Sequence, residues 1–253
     1  MAIELVALFP GELGINGDGG NVTALVERAR EHGVEVRVTN VGVGGSLPET
    51  ADAVCIGSGP LSAVQAVLPA VQGFAERLRD WQRDGVVFVA IGGGWDALGR
   101  EIELADGGRL QGAGVFGSTS KRGAEQLVDE TAVRVDGVDG PVTGFANHDS
   151  RVTLDADVQP FGRLVKGYAN VGATAGSAEG ARAGASIASN LHGPLLAMNP
   201  AVADAVLDAA RAHAVTRGEQ VAELTASTEW LREVDERAAG SRRALLGRIG
   251  VSA

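Results

Sequence analysis

The stretch VVFVAIGGGWDALG, residues 86–99, limits what this chain can become more than any other. Val86 to Ile91 are all apolar or β-branched and end on glycine, the pattern of a short buried strand. Three glycines follow, and a helical pattern sets in from Trp95. Strand, sharp turn and helix in direct succession is the form of a nucleophile elbow, where a strained backbone lifts one side chain clear of its neighbours. In this chain the turn holds only glycine.

The same alternation runs through the first half. IELVALF (3–9) reads as a buried strand, NVTALVERAREHG (21–33) as a helix stopped by Gly33, and VEVRVTNV (34–41) as an alternating strand. ADAVCIG (51–57) is another apolar run, followed by a helix from about Ser62 to Asp84. Strands alternating with helices predict an α/β fold, a three-layer and mainly parallel sheet of flavodoxin-like type. Sites in such sheets collect beyond the carboxyl ends of the strands. The unusual loops lie there: FPGELGINGDGGN (9–21), GSGP (57–60) and GGG (92–94).

The second half changes character. Segments near 110–116, 131–136, 142–147 and 163–172 are short, strand-like and separated by glycines, as expected of added β-hairpins. SIASNLHGPLLAMNP (186–200) is a strand running into a turn. Helices are expected at 200–213 and about 217–236, with a basic end at Arg242, Arg243 and Arg248. This predicts one domain over residues 1–215 and a C-terminal helical extension over 216–253.

Composition removes several classes of function. A formal charge of −10 argues against nucleic acid and against anionic membrane surfaces, because both need a basic footprint. No apolar run approaches the ~20 residues needed to cross a bilayer. MAIELVALFPGE lacks a basic segment ahead of its apolar stretch, so it reads as a first strand rather than a signal peptide. Cys55 is the single cysteine, which excludes an internal disulfide framework and a metal site of clustered cysteines. These features together predict a cytoplasmic protein that works on small molecules or beside another protein.

Four segments carry candidate chemistry. GINGDGGN is a glycine-rich loop, with Asn21 placed to cap the following helix. GSGP is placed to present backbone N–H groups to an oxyanion. The glycine elbow is the third, and His192, in a tight turn after a strand, is the fourth. His148 lies in GFANHDSR, whereas His32 and His213 sit in helical surface patterns.

In this order the segments resemble the CobB/CobQ-like (cobyric acid synthase-like) branch of the class I glutamine amidotransferases. Within it they are most similar to the GatD-type subunits of lipid II isoglutaminyl synthase, as far as about residue 212. LFPGELGINGDGGN is similar to LYPxLxxxYGDxGN, sharing Pro10, Gly17, Asp18, Gly20 and Asn21. AIGGGWDALG is similar to AICGGYQLLG, and GFANHDSR to GFENHxGR. FGRLVKGYANVG looks like the GxVxxGxGNNG hairpin, and NLHGPLLAMNP like YLHGPLLPKNP.

The resemblance implies a glutaminase built from three parts. A cysteine thiolate attacks the glutamine amide, a histidine carries the proton, and backbone N–H groups hold the oxyanion. Ammonia then passes to a MurT-like Mur ligase subunit, an ATPase that activates the α-carboxyl of D-glutamate in the peptidoglycan stem peptide. His192 matches the catalytic histidine. Gly57, Ser58, Gly59 and Gly93 match the oxyanion and substrate-binding positions, and Arg122 in SKRG resembles a basic residue of the binding section. No cofactor or metal is implied.

The nucleophile position falls on Gly92, which has no side chain to attack with. Trp95 and Asp96 replace a Tyr-Gln pair, and Pro60 and Leu61 replace Gln-Asp. The expectation is therefore a pseudo-amidotransferase in a heterodimer with the ligase, still admitting glutamine or another small amine such as ammonia or a small amino acid. One alternative is a working glutaminase, with Gly92 an engineered substitution or with another nucleophile such as Ser58 or Cys55. A stand-alone small-molecule binder is the other. The last helix either docks a partner or is a solvated, charged helix.

Overall fold

The computed structural model describes residues 2–123, 125–224 and 228–252. In chain order the first half contains β1 (Ala2–Leu8), α1 (Gly20–Glu31), β2 (Glu35–Val41), β3 (Ala53–Ile56) and α2 (Leu61–Asp84). The elbow follows as β4 (Val87–Ile91) and α3 (Gly93–Leu98). Short strands come next: β5 (Glu101–Glu103), β6 (Arg109–Gln111), β7 (Ser118–Lys121), β8 (Leu127–Arg134), β9 (Val142–His148) and β10 (Arg151–Leu154). They continue as β11 (Gly162–Lys166), β12 (Ala178–Glu179), β13 (Ala181–Ala183) and β14 (Ser186–Ser189). The chain closes with α4 (Leu195–Met198), α5 (Pro200–Thr216) and α6 (Glu229–Ile249).

The central sheet has six strands in the order β13-β14-β4-β3-β1-β2, and every pairing except β13–β14 is parallel. Its middle strands are wholly apolar because helices cover both faces: each residue of AVCI in β3 and of VFVAI in β4 is buried. One apolar layer, including Val64, Leu68, Val71 and Leu78, lies under α2. The other, including Leu25, Val202, Val206 and Leu207, lies under α1 and α5. Two four-stranded sheets, β10-β7-β5-β6 and β12-β11-β8-β9, are added beside it. The second is antiparallel throughout, whereas β5 and β7 pair in parallel, so the insertions are more than hairpins.

Several sequence expectations need correction. Residues 112–116 are not a strand: β6 ends at Gln111. The strand expected over 163–172 stops at Lys166, where Gly167 takes φ +96°. The helix expected at 217–236 begins only at Glu229, because Gly218 turns the chain at φ +91° and the Thr228 hydroxyl caps the later start by accepting the Leu231 N–H. Arg242, Arg243 and Arg248 therefore lie within α6. Asn21 does not cap α1, since its Oδ1 accepts the Leu196 N–H and ties the first loop to α4. His32 and His213 are not surface groups: His32 is the buried C-cap of α1, and His213 donates to or accepts from the buried Asp52 at 2.7 Å.

The last helix is packed rather than solvated, with Leu231, Ala238, Leu245 and Leu246 buried. Arg28 of α1 joins it to the domain: its guanidinium is almost buried and holds Asp204 of α5 and Asp235 of α6, each at 2.6 Å. Arg242 further donates to the Met198 carbonyl at the end of α4. Among the described residues no helix is long and apolar enough to cross a membrane.

Replacing Arg28 leaves two carboxylates facing each other with their cation gone. Because both retain some solvent, Arg28→Ala should cost about 1–3 kcal/mol, below the range for a fully buried pair. A lowered urea midpoint with an unchanged slope would show it, and Asp235→Asn should cost less.

Candidate active site

The elbow is built as its sequence requires. β4 delivers Gly92 at φ +51°, ψ −116°, a conformation open to glycine and strained for any other residue. The Gly92 N–H donates to the Ser189 carbonyl at 2.9 Å, and its own carbonyl accepts the Asp96 N–H at 3.0 Å to start α3. A Cβ placed on Gly92 would lie 2.5 Å from Ser58 Oγ and 3.0 Å from His192 Cε1. A side chain at this position would therefore point straight between those two residues.

His192 comes to the elbow because β14 pairs in parallel with β4, bringing Ser189 beside Ile91. The chain then turns at Gly193, φ +125°, and an isolated antiparallel bridge ties His192 to Phe145 of β9. The imidazole is fully buried. Its Nδ1 lies 3.1 and 3.2 Å from the two oxygens of Asp18, while its Nε2 has no partner among the described residues. Asp18 reaches it from the loop after β1, across 174 residues of sequence. In the sequence Asp18 is only one of several motif positions. Its place at the carboxyl end of a strand was the available signal, and only the fold reveals its histidine partner.

The expected oxyanion loop is largely satisfied from within. Ser58 N–H donates to Asp18 Oδ2 at 3.0 Å, and Ser58 Oγ accepts the Gly93 N–H at 3.0 Å. Two of the anticipated oxyanion donors are thus occupied, whereas the Gly59 N–H has no acceptor among the described residues. Glycine is required at 57, where a Cβ would come within 2.3 Å of the Leu13 carbonyl oxygen. Ser58, Gly92, Gly93 and His192 are all buried, so the elbow is closed to solvent in this conformation.

Arg122 is close by but committed elsewhere. Its Nη1 donates to the buried Asp96 at 2.8 Å. Its Nε lies 2.9 Å from Asp149, a charge contact too bent to count as a hydrogen bond. Burial pushes the Asp96 acid up, and the Arg122 charge opposes that shift. His148 stands in the same neighbourhood, its Nδ1 3.0 Å from the Ser150 carbonyl, and burial pulls it down to about 4. The Cys55 thiol is buried in β3 and pushed up to about 12, which removes it as a nucleophile at neutral pH. Among the described residues no group of three or more His, Cys, Asp or Glu is placed to hold a metal.

One residue behind the elbow escaped the sequence reading. Glu179 of β12 is buried, and its Oε1 accepts both the Ser189 hydroxyl at 2.9 Å and the Asn190 N–H at 3.0 Å. The Ser189 carbonyl is the one that holds the Gly92 N–H. Burial pushes the Glu179 acid from 4.5 up to about 7. An acid raised on folding supports the fold while it is protonated. Its contribution is complete below the unfolded value near 4.5 and is lost as pH rises through 7. Stability should fall by about 3 kcal/mol across that window from this group alone. Urea midpoints measured from pH 4.5 to 7.5 should lose most of that slope in Glu179→Gln, which keeps an acceptor but cannot ionise.

With this geometry in view, comparisons with known proteins identify the family. The model of the CobB/CobQ-like glutamine amidotransferase domain matches residues 15–200. The chain is 29% identical over 203 residues to the GatD subunit of lipid II isoglutaminyl synthase (glutamine-hydrolyzing) from Streptococcus pneumoniae, covering 78% of this chain and 76% of that one. It is 26% identical over 200 residues to the corresponding subunit from Staphylococcus aureus, covering 79% and 80%. Among solved structures it superposes on a glutamine amidotransferase with a TM-score of 0.53, at 17% identity and covering 85% and 99% of the two chains. The glutaminase domain of the Trypanosoma brucei protein CTPS gives a TM-score of 0.51, at 11% identity and covering 83% and 94%. The matched residues hold Asp18, the Ser58 loop, the glycine elbow and His192, and the chain belongs to the CobB/CobQ-like glutamine amidotransferase family.

Proposed function

We propose that this chain is a GatD-like subunit of a MurT-like ligase complex acting on the D-glutamate α-carboxyl of the peptidoglycan precursor, and that it has lost cysteine-dependent glutamine hydrolysis. The observation that carries the reading is the bare Gly92, whose missing side chain would point at Ser58 and His192. A Cβ there would lie 3.0 Å from His192 Cε1, which supports His192 as the retained histidine of a site that has no thiol. The Ser58 hydroxyl also satisfies the Gly93 N–H that an oxyanion would need. A site closed to solvent, with the Ser58 and Gly93 N–H groups already bonded, supports a subunit that shapes a ligase and serves nitrogen to it as ammonia or another small amine.

A second reading has a specific observation in its favour. Ser58 Oγ stands beside the retained Asp18–His192 pair, so a serine could take over the attack after a change of rotamer. Ser58→Ala separates the two readings.

Ammonia release from glutamine should be at background for the unaltered chain, alone and with a co-expressed Mur-type ligase that co-purifies with it. Gly92→Cys should also be inactive, because its new Cβ meets Ser58 Oγ at 2.5 Å and Ser58 Cβ at 3.0 Å, leaving the thiol no room. Gly92→Cys combined with Ser58→Gly should raise turnover at least tenfold over the single variant. Turnover by the unaltered chain that Ser58→Ala abolishes would replace the first reading with the second. Absence of any ligase from the complex would overturn the partnership.

A further inference from the structure

Away from the elbow, a hollow opens between α5, the turn after β8 and the β13–β14 hairpin. It has a volume of about 190 Å³ and includes none of Ser58, Gly92 and His192. Val135, Phe161, Ile187, Val202 and Val206 are buried and form its floor, whereas Asp136, Ala185 and Ala205 are exposed and mark its mouth. Sites for drug-sized ligands run to ~300–1,000 Å³, so this one suits a molecule the size of a single amino acid and excludes a nucleotide.

Two charged side chains line the hollow, Arg182 and Asp136. The Arg182 guanidinium lies over the Phe161 ring, 5.5 Å from its centre, which holds the cation in one place. Among the described residues neither side chain is paired with an opposite charge, and they are not paired with each other. An apolar floor offers water no hydrogen bonds, so water is a poor occupant. A side chain from a partner protein would cover the floor but leave both charges unmatched, because a residue within a chain carries neither a free carboxylate nor a free ammonium. A free amino acid carries both.

We propose that this hollow is a binding site for a free α-amino acid with a branched aliphatic side chain, such as leucine. The ligand's carboxylate meets Arg182, its ammonium meets Asp136, and its side chain lies on the apolar floor. Selectivity comes from requiring all three contacts, since a molecule that lacks one leaves either a charge unmatched or apolar surface uncovered. The floor belongs in part to β14 and α5, the elements on either side of the His192 turn. The site stands apart from the ligase-subunit reading, and neither depends on the other.

The test is thermal unfolding of the purified chain, at fixed pH and ionic strength, with L-leucine, glycine, isocaproate or isopentylamine. Leucine should raise Tm saturably by a few degrees, as a ligand of the folded state does. Glycine lacks the side chain, isocaproate the ammonium and isopentylamine the carboxylate, and each should act at least tenfold less effectively. Arg182→Gln and Asp136→Asn should each weaken leucine at least tenfold. Ala205→Phe, which fills the mouth and keeps both charges, should abolish the response and covers the case where a charge variant does not fold. Hydrogen exchange over β14 and the first two turns of α5 should slow in leucine, which locates the ligand. No saturable response would overturn the proposal. So would an equal response to either singly charged analogue, a full response in Ala205→Phe, or exchange that slows only elsewhere.

Discussion

The register of β14 against β4 is the constraint on which the site depends. Ser189 lies beside Ile91, its carbonyl takes the Gly92 N–H, and three residues later the chain delivers His192 to the elbow. A slip of one residue would turn these side chains to the other face of the sheet. Glu179 guards that register from behind by holding Ser189 and Asn190 with one buried oxygen. The acid carries a cost when ionised, and it stands where three loops must meet within hydrogen-bond distance.

At the front of the elbow, polar groups have closed on one another. Asp18 orients His192 and ties down the Ser58 N–H, and the Ser58 hydroxyl in turn takes the Gly93 N–H. Each bond relieves a buried group that would otherwise be unsatisfied. The same bonds withdraw donors from any incoming oxyanion. A glycine at the turn and the internal bonds of Ser58 and Gly93 both favour the stability of the elbow.

Much of this was legible before any coordinates. The buried runs in β1, β3 and β4 read as parallel strands because helices on both faces demand continuous apolar sequence. The glycine elbow and the turn at His192 were visible because their backbone requirements leave few residue choices. What could not be read was pairing at long range. Asp18 was one of several motif positions, His213 looked like a helix-surface histidine, and Glu179 drew no attention at all. Each owes its role to a partner far away in sequence. The late start of α6 was missed for a related reason: its charge pattern is helical from about residue 217, but a glycine turn and a threonine cap decide where the helix begins.

By itself, then, the sequence determined the layered parallel fold, the strained turn and the absence of a nucleophile at Gly92. These follow from local rules: periodicity, backbone freedom and the chemistry that a side chain does or does not possess. Tertiary structure alone decided what surrounds that vacancy. It placed Ser58 Oγ 2.5 Å from where a Cβ would stand, joined Asp18 to His192, and engaged Arg122 with Asp96. The physical reason is that hydrogen bonds and packing act through space, between segments whose order along the chain says nothing of their distance.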